Sequence, residues 1–298
     1  MKILFTGDIQ FGRDYWDISK DCPNDILRNV LPYIEKADLI IFNLESVLSH
    51  KNTLNKDDRI EGKTYHILSI PSPLQYLRNS TSKPIIVATI NNHTFDYGVK
   101  GYEDTIAILN NNNFMYTCGY NYLDLKNCVF FDSTTHGSMG INEDKYKNID
   151  KLWKENCWFI DITNSESIQE ALIVIKKVRH RHPNKLIIIA LHWGKNWVTD
   201  MDSEFEKETD LARLMIDVGC DIIFGNGAHH VVETPYTFYK NKLIIYGLGD
   251  LAGDFIYKHS FRSDISLSIL YDTNNNNIKK INFTKSFNES ECGIPIAM

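Results

Sequence analysis

Short apolar runs that stop abruptly at small or polar residues recur along this chain. Six stand out: Ile3–Phe5, Leu39–Phe42, Ile85–Ile90, Leu186–Leu191, Asp221–Phe224 and Leu243–Tyr246. Runs of this length, apolar throughout rather than alternating, predict strands buried on both faces. Between them, Asp25–Ile34, Gly101–Leu109, Ser167–Arg179 and Phe205–Val218 carry apolar residues at helical spacing. In the last of these, Leu211, Leu214, Met215 and Val218 precede Gly219, the residue type that commonly ends a helix. Strand and helix patterns in alternation predict an α/β layered fold.

The C-terminal stretch reads differently. Ser266–Tyr271 alternates in part, Asn274–Asn277 predicts a turn, and Lys279–Phe283 follows, as expected of a terminal hairpin at a sheet edge. Asn110–Asn113 and Asn274–Asn277 are expected to be solvated loops. With no linker rich in Pro, Gly or Ser and no internal repeat, residues 1–298 are expected to form one domain.

Composition narrows the function classes. Of 298 residues, 43% are hydrophobic and 23% charged, enough to bury a large core without disulfides or a structural metal. A net charge of −6 argues against a nucleic-acid surface. It leaves room for an anionic substrate if a metal supplies local positive charge. The six cysteines (Cys22, Cys118, Cys128, Cys157, Cys220 and Cys292) form no C-x-x-C pair and are expected to be reduced, mostly buried thiols. The first apolar run ends at Gly7, too short for a signal sequence or a membrane span, and no later stretch is long enough to span. A cytoplasmic location is the expectation.

What the runs lead into matters most. They end in Gly7-Asp8, Asn43-Leu44-Glu45, Asn91-Asn92-His93, His192-Trp193-Gly194, Gly225 to His230, and Gly247-Leu248-Gly249-Asp250. Ligands bind at the carboxyl ends of strands in open α/β sheets, so these polar residues predict one site along a common rim. Taken singly, each has an ordinary explanation. Asp8 reads equally well as a helix cap or turn residue, and Glu45 as a solvated carboxylate. His192 alone reads as a hydrogen-bonded structural histidine, and Asn91-Asn92 as a turn pair. His229-His230 is stronger, although adjacent side chains on a strand point opposite ways and one of the two is expected to face the site. Together, imidazole, carboxylate and amide donors suit a pair of divalent ions that activate water for hydrolysis. Among Trp16, Trp193 and Trp197, Trp193 is the pocket-lining candidate, although such residues are more often core packing.

In order and content these motifs resemble the capsule-synthesis (CapA-type) proteins, a branch of the calcineurin-like metallophosphoesterases. Gly7-Asp8, Gly12-Arg13, Asn43-Leu44-Glu45, Asn91 to Gly98, His192-Trp193-Gly194, Gly225 to His229 and Tyr246 to Asp250 carry the likeness across about residues 3 to 255. The resemblance implies a four-layer metallophosphoesterase-like β-sandwich flanked by helices, with two divalent ions (Mn, Fe, Mg or Zn) at one edge. It implies Asp8, Glu45, Asn92, His192, Asn226 and His229 as metal ligands, Glu45 bridging. His93 would contact the substrate phosphate or protonate the leaving group, and Arg13 would clamp an anion. This chain departs from the superfamily in having Gln10 where Asp-x-His is usual, Asn226 in place of an imidazole, and Asp250 where many members have Asn. Those changes favour harder ions such as Mn or Mg over Zn. The implied activity is a metal-dependent hydrolase acting on a phosphoester or a polyglutamate-like anion in capsule polymer synthesis. The alternative is a non-catalytic, polymer-binding or assembly component with a degenerate metal site. A phosphatase of small sugar or nucleotide phosphates is a third option.

Overall fold

A computed structural model describes residues 1–11, 24–50, 53–63, 65–117, 119–135, 151–194, 205–253, 259–287 and 293–298. Arg13, Trp16, Trp197, Cys22, Cys118 and Cys292 lie outside the described residues. The strands are β1 (Lys2–Ile9), β2 (Leu39–Leu44), β3 (Val47–Leu48), β4 (Leu68–Ser69), β5 (Ile85–Ala88), β6 (Leu123–Asp124), β7 (Cys128–Thr134) and β8 (Leu186–His192). They continue with β9 (Ile222–Asn226), β10 (Tyr236–Tyr239), β11 (Lys242–Ile245), β12 (Asp250–Ala252), β13 (Ile265–Asp272), β14 (Asn277–Phe287) and β15 (Gly293–Ala297). One large sheet runs β15-β14-β13-β1-β2-β5 with β12 also paired to β1, a second runs β10-β11-β9-β8-β7-β6, and β3 and β4 form a small two-stranded sheet.

Alternate residues of the same strands divide between three cores, which fixes the layers. Ile3, Phe5, Leu39, Ile41, Ile86 and Ala88 of the first sheet share one core with Phe130, Ile188, Ala190, Ile222, Phe224 and Ile245 of the second. Their neighbours in sequence face outward. Leu4, Ile40, Phe42 and Val87 pack with Leu74 and Leu77 of helix Ser72–Ser80 and Ile108 and Leu109 of helix Gly98–Asn111. Val129, Phe131, Ile187, Ile189 and Ile223 pack with helices Ser165–Arg181 and Glu206–Asp217. The result is helix, sheet, sheet, helix: the four-layer α/β sandwich. Burial on both faces is why the strands read as unbroken apolar runs.

Some elements differ from expectation for local reasons. Asp25–Ile34 is not one helix but a 3-10 turn, Arg28–Val30, followed by the short helix Leu31–Ile34 with Pro32 in its first turn. Helix Ser72–Ser80, with Pro71 at its N-cap and Pro73 in its first turn, and strand β7 were not expected. The C-terminal hairpin is real, β13 against β14, but it is not the sheet edge: β13 pairs with β1, and β15 covers β14. Of the Asn110–Asn113 run, Asn110 and Asn111 belong to the last turn of a helix rather than to a loop. Cys128, Cys157 and Cys220 are buried free thiols. Among the described residues no helix is long and apolar enough to cross a membrane.

Candidate metal centre

Register alone brings two carboxylates together. Asp8 on β1 is the pairing partner of Asp250 on β12 and, on its other side, of Asn43 on β2. Like charges side by side on adjacent strands repel, so this arrangement calls for a compensating cation. Glu45, one residue past the end of β2, is held by its backbone N–H on Ile9 O at 3.0 Å. From the second sheet, Gly227 N–H donates to Asp8 Oδ2 at 3.0 Å and ties the two sheets together at the rim. A side chain at Gly227, which has φ +101°, would meet the His192 ring at 2.5 Å. His229 itself adopts φ +61°, an uncommon conformation for a residue with a side chain and one that clusters at functional sites.

Asp8, Glu45, His229 and Asp250 are all buried and offer ligand atoms within 4.8 Å of one another. The imidazoles gather around one carboxylate. Glu45 Oε1 lies 3.5 Å from His229 Nε2, 3.9 Å from His192 Nε2 and 3.9 Å from His93 Nε2. Each ring has an acceptor on its far nitrogen. His93 Nδ1 pairs with Asp96 Oδ2 at 2.6 Å, His192 Nδ1 with Asn226 Oδ1 at 2.7 Å, and His229 Nδ1 with Asp250 Oδ1 at 2.9 Å. An acceptor on Nδ1 directs the lone pair of the neutral ring to Nε2, the arrangement metal-binding histidines use.

The fit of this donor set to a cation shows in buried oxygens that make no hydrogen bond. Both Glu45 carboxylate oxygens, Asp250 Oδ2 and Asn92 Oδ1 are buried without a hydrogen-bond partner. Buried acceptors of this kind are costly unless something positive meets them. Charge states tell the same story. Burial, then Asp250, raises the Asp8 pKa to about 6, and burial pushes Glu45 well above the usual carboxylate range. Burial opposes charge on His229, but Glu45 and Asp250 outweigh it and lift the imidazole to about 10. Without a metal, the cluster meets its charge imbalance by holding protons.

Of the residues expected from sequence, Asp8, Glu45 and His229 meet in the cluster, and His192 and His93 approach Glu45. Asn92 keeps its side-chain oxygen unpartnered, whereas the Asn226 oxygen is taken by His192. His230 turns away, bonded to Ala228 O and tilted against Phe261. Trp193 is a correction: it does not line a pocket but is fully buried in the helix-side core, stacked on Tyr246 with its indole N–H on Tyr246 O.

Sequence reasoning missed several supporting residues. Asp96, three residues after His93 in the turn that leads into helix Gly98–Asn111, also accepts from Lys63 Nζ, which reaches Asn92 O as well. Burial opposes the Asp96 charge, yet His93 and Lys63 hold its pKa below the usual value, while burial lowers that of His93 to about 4. The His93–Asp96 spacing of three was a usable signal; Lys63 had none. Asp132 on β7 accepts the backbone N–H groups of Thr89 and Ile90 and so holds the loop carrying Asn91 to His93. Asn91 anchors that loop to β2 through Leu44 O at 2.7 Å.

Comparison with known proteins agrees in extent with these motifs. The family model described as "Bacterial capsule synthesis protein PGA_cap" matches residues 2–255. The capsule biosynthesis protein CapA of Bacillus anthracis is 25% identical over 273 residues, 85% of this chain and 60% of its own length. The PGA biosynthesis protein CapA of Bacillus subtilis (strain 168) is 25% identical over 255 residues, 84% of this chain and 62% of its own. This chain thus spans about three fifths of the length of those relatives. Among solved structures, a phosphatase from Mycoplasma pneumoniae aligns with 100% of this chain and 93% of its own at 12% identity and a TM-score of 0.48.

Proposed function

This chain belongs to the bacterial capsule synthesis protein family PGA_cap, and from that membership we propose that it is a divalent-metal-dependent hydrolase of an anionic substrate, a phosphoester or a polyglutamate-like polymer. One observation carries the proposal: a buried set of three carboxylates and an imidazole with converging ligand atoms, several of whose oxygens make no hydrogen bond. Asp8, Glu45, His229 and Asp250 would hold one ion, and Asn92 and His192 offer further donors toward a second. A bound divalent ion of the Mn or Mg type would supply Lewis acidity and a water made nucleophilic near neutral pH.

The remaining work falls to the chain's own groups. Gly227 N–H and Asn43 Nδ2 each donate to Asp8, at 3.0 and 2.9 Å, and fix its carboxylate in place. Asp96 fixes the His93 tautomer, leaving Nε2 directed toward Glu45. A dianionic substrate beside His93 raises the pKa of the ring, so that Nε2 can hand its proton to the leaving oxygen. Arg13 is assigned the anion clamp by family resemblance alone.

A second function, polymer binding without turnover, is favoured by one feature: the Asn226 oxygen is occupied by His192, so a donor position implied by the resemblance is already in use. Elemental mass spectrometry of the purified chain, paired with a phosphoesterase screen in added Mn, separates the two. Bound metal with turnover supports the hydrolase. Polyglutamate binding that survives chelation, with no metal and no turnover, replaces it with the binding role.

A further inference from the structure

Lys285 comes from β14, beyond residue 255 where the family match ends. Its side chain is only 2% exposed, and its ammonium sits 3.7 Å from Asp250 Oδ2, an oxygen with no hydrogen-bond partner. Lysines ordinarily bury the stem and send the charge to water. Here packing prevents that. The stem lies so close to β15 that a side-chain carbon at Gly293 would meet Lys285 Cδ at 2.8 Å and Cβ at 3.2 Å. Gly293 is bound in turn to Gly253, just after β12, by reciprocal backbone hydrogen bonds of 3.2 and 2.9 Å. The same short strand that presents Asp250 at its start therefore holds, just past its end, the strap that aims the ammonium at it. Burial lowers the Lys285 pKa, while the three acids that face it, Asp250, Asp264 and Asp8, push it upward.

We infer that Lys285 is an internal counter-ion of the metal centre: its ammonium offsets Asp250 and weakens divalent binding to the Asp8–Glu45–His229–Asp250 cluster. The inference rests on the metal reading proposed above. An incoming dication meets three carboxylates, but also a cation that cannot withdraw, and repulsion at this range in a buried site is strong. A purely structural lysine would act in the opposite sense, because removing it would loosen the strand that presents Asp250.

Lys285→Met keeps most of the stem and removes the charge. Calorimetric titration of the metal-free full chain with Mn²⁺ alone, at fixed pH and salt, is expected to give a Kd for the variant that is tighter by about tenfold or more. Unchanged or weaker binding overturns the inference. Because the single variant removes one of the cations that offset three buried carboxylates and is at risk of misfolding, Lys285→Met is also made in an Asp250→Asn background. There too it should tighten Mn²⁺ binding about tenfold, since the incoming ion no longer meets the Lys285 charge. No gain in that background again overturns it. Wild-type protein that takes up no Mn²⁺ overturns the metal reading and this inference together; uptake by the wild type with no gain in either variant overturns this inference alone.

Discussion

Two carboxylates at opposite strand ends face opposite fates. Asp221, just before β9, is saturated: Oδ2 accepts from Arg179 and from the Ile187 N–H at 2.8 Å, and Oδ1 accepts from Lys242. Glu45, just after β2, is fully buried, and neither of its oxygens has a hydrogen-bond partner. The first is how a fold disposes of a charge it needs for architecture. The second is a buried carboxyl left with unmade hydrogen bonds, which stability alone does not explain. The contrast therefore separates the structural end of the sandwich from the chemical end.

The largest effect should come from His93→Asn. It is expected to slow hydrolysis of any phosphoester the wild type accepts by about 10²–10⁴-fold, with metal content by elemental mass spectrometry unchanged. Loss of metal together with rate would reassign His93 as a ligand. Next, Glu45→Gln should weaken Mn²⁺ binding by about 10²-fold or more in calorimetry, through loss of a charged central ligand. The same variant, metal-free, should resist urea about as well as the wild type, because burial already favours the neutral carboxyl that the amide mimics. A large loss of stability would show that the attraction between Glu45 and the imidazoles around it outweighs the cost of its burial.

Asp221→Ala tests the other side. It should cost about 3 kcal/mol in urea unfolding, since it strips partners from Arg179, Lys242 and the Ile187 N–H at once. Its Mn²⁺ affinity should not change. Smaller still, Asn226→Ala should weaken Mn²⁺ binding about tenfold by releasing the His192 ring, the usual size of a supporting-residue effect. The smallest expected effect is a pH trend in metal-free protein. His93, with its pKa lowered to about 4 by burial, stays unprotonated in the folded chain while the unfolded chain protonates near 6.5. The unfolded state therefore binds more protons in that window, and stability is lost as pH falls from about 6.5 toward 4. Asp8, raised to about 6, has the opposite sign and loses stability as pH rises through the same range. Urea midpoints measured from pH 7 to 4 should therefore fall further for the wild type than for His93→Asn, which lacks the histidine contribution.

The rim was legible in the sequence because doubly buried strands leave long apolar runs, and the residues that break those runs are the ones that line the site. Asp8, Glu45, His192 and His229 announce themselves in this way. The supporting residues do not. Asp132 interrupts the apolar run of β7, so a buried strand reads as a loop, and its partners Thr89 and Ile90 are chosen only by tertiary contact. Lys63 and Lys285 look like surface lysines in any window of sequence, and only the path of the chain takes them inward. Trp193 misleads in the other direction: proximity in sequence to His192 does not make it a neighbour of the site, because successive strand residues face opposite layers.

The order of the cluster's members along the chain, from Asp8 through Glu45 and His229 to Asp250, has a consequence for biogenesis. A chain emerging from the ribosome presents two acids early and nothing to complete the site until both sheets have met. An ion that needed all four donors could not be captured by a half-made protein, so under the metal reading proposed above its uptake would certify that synthesis has passed residue 250 and that the two sheets have closed on each other.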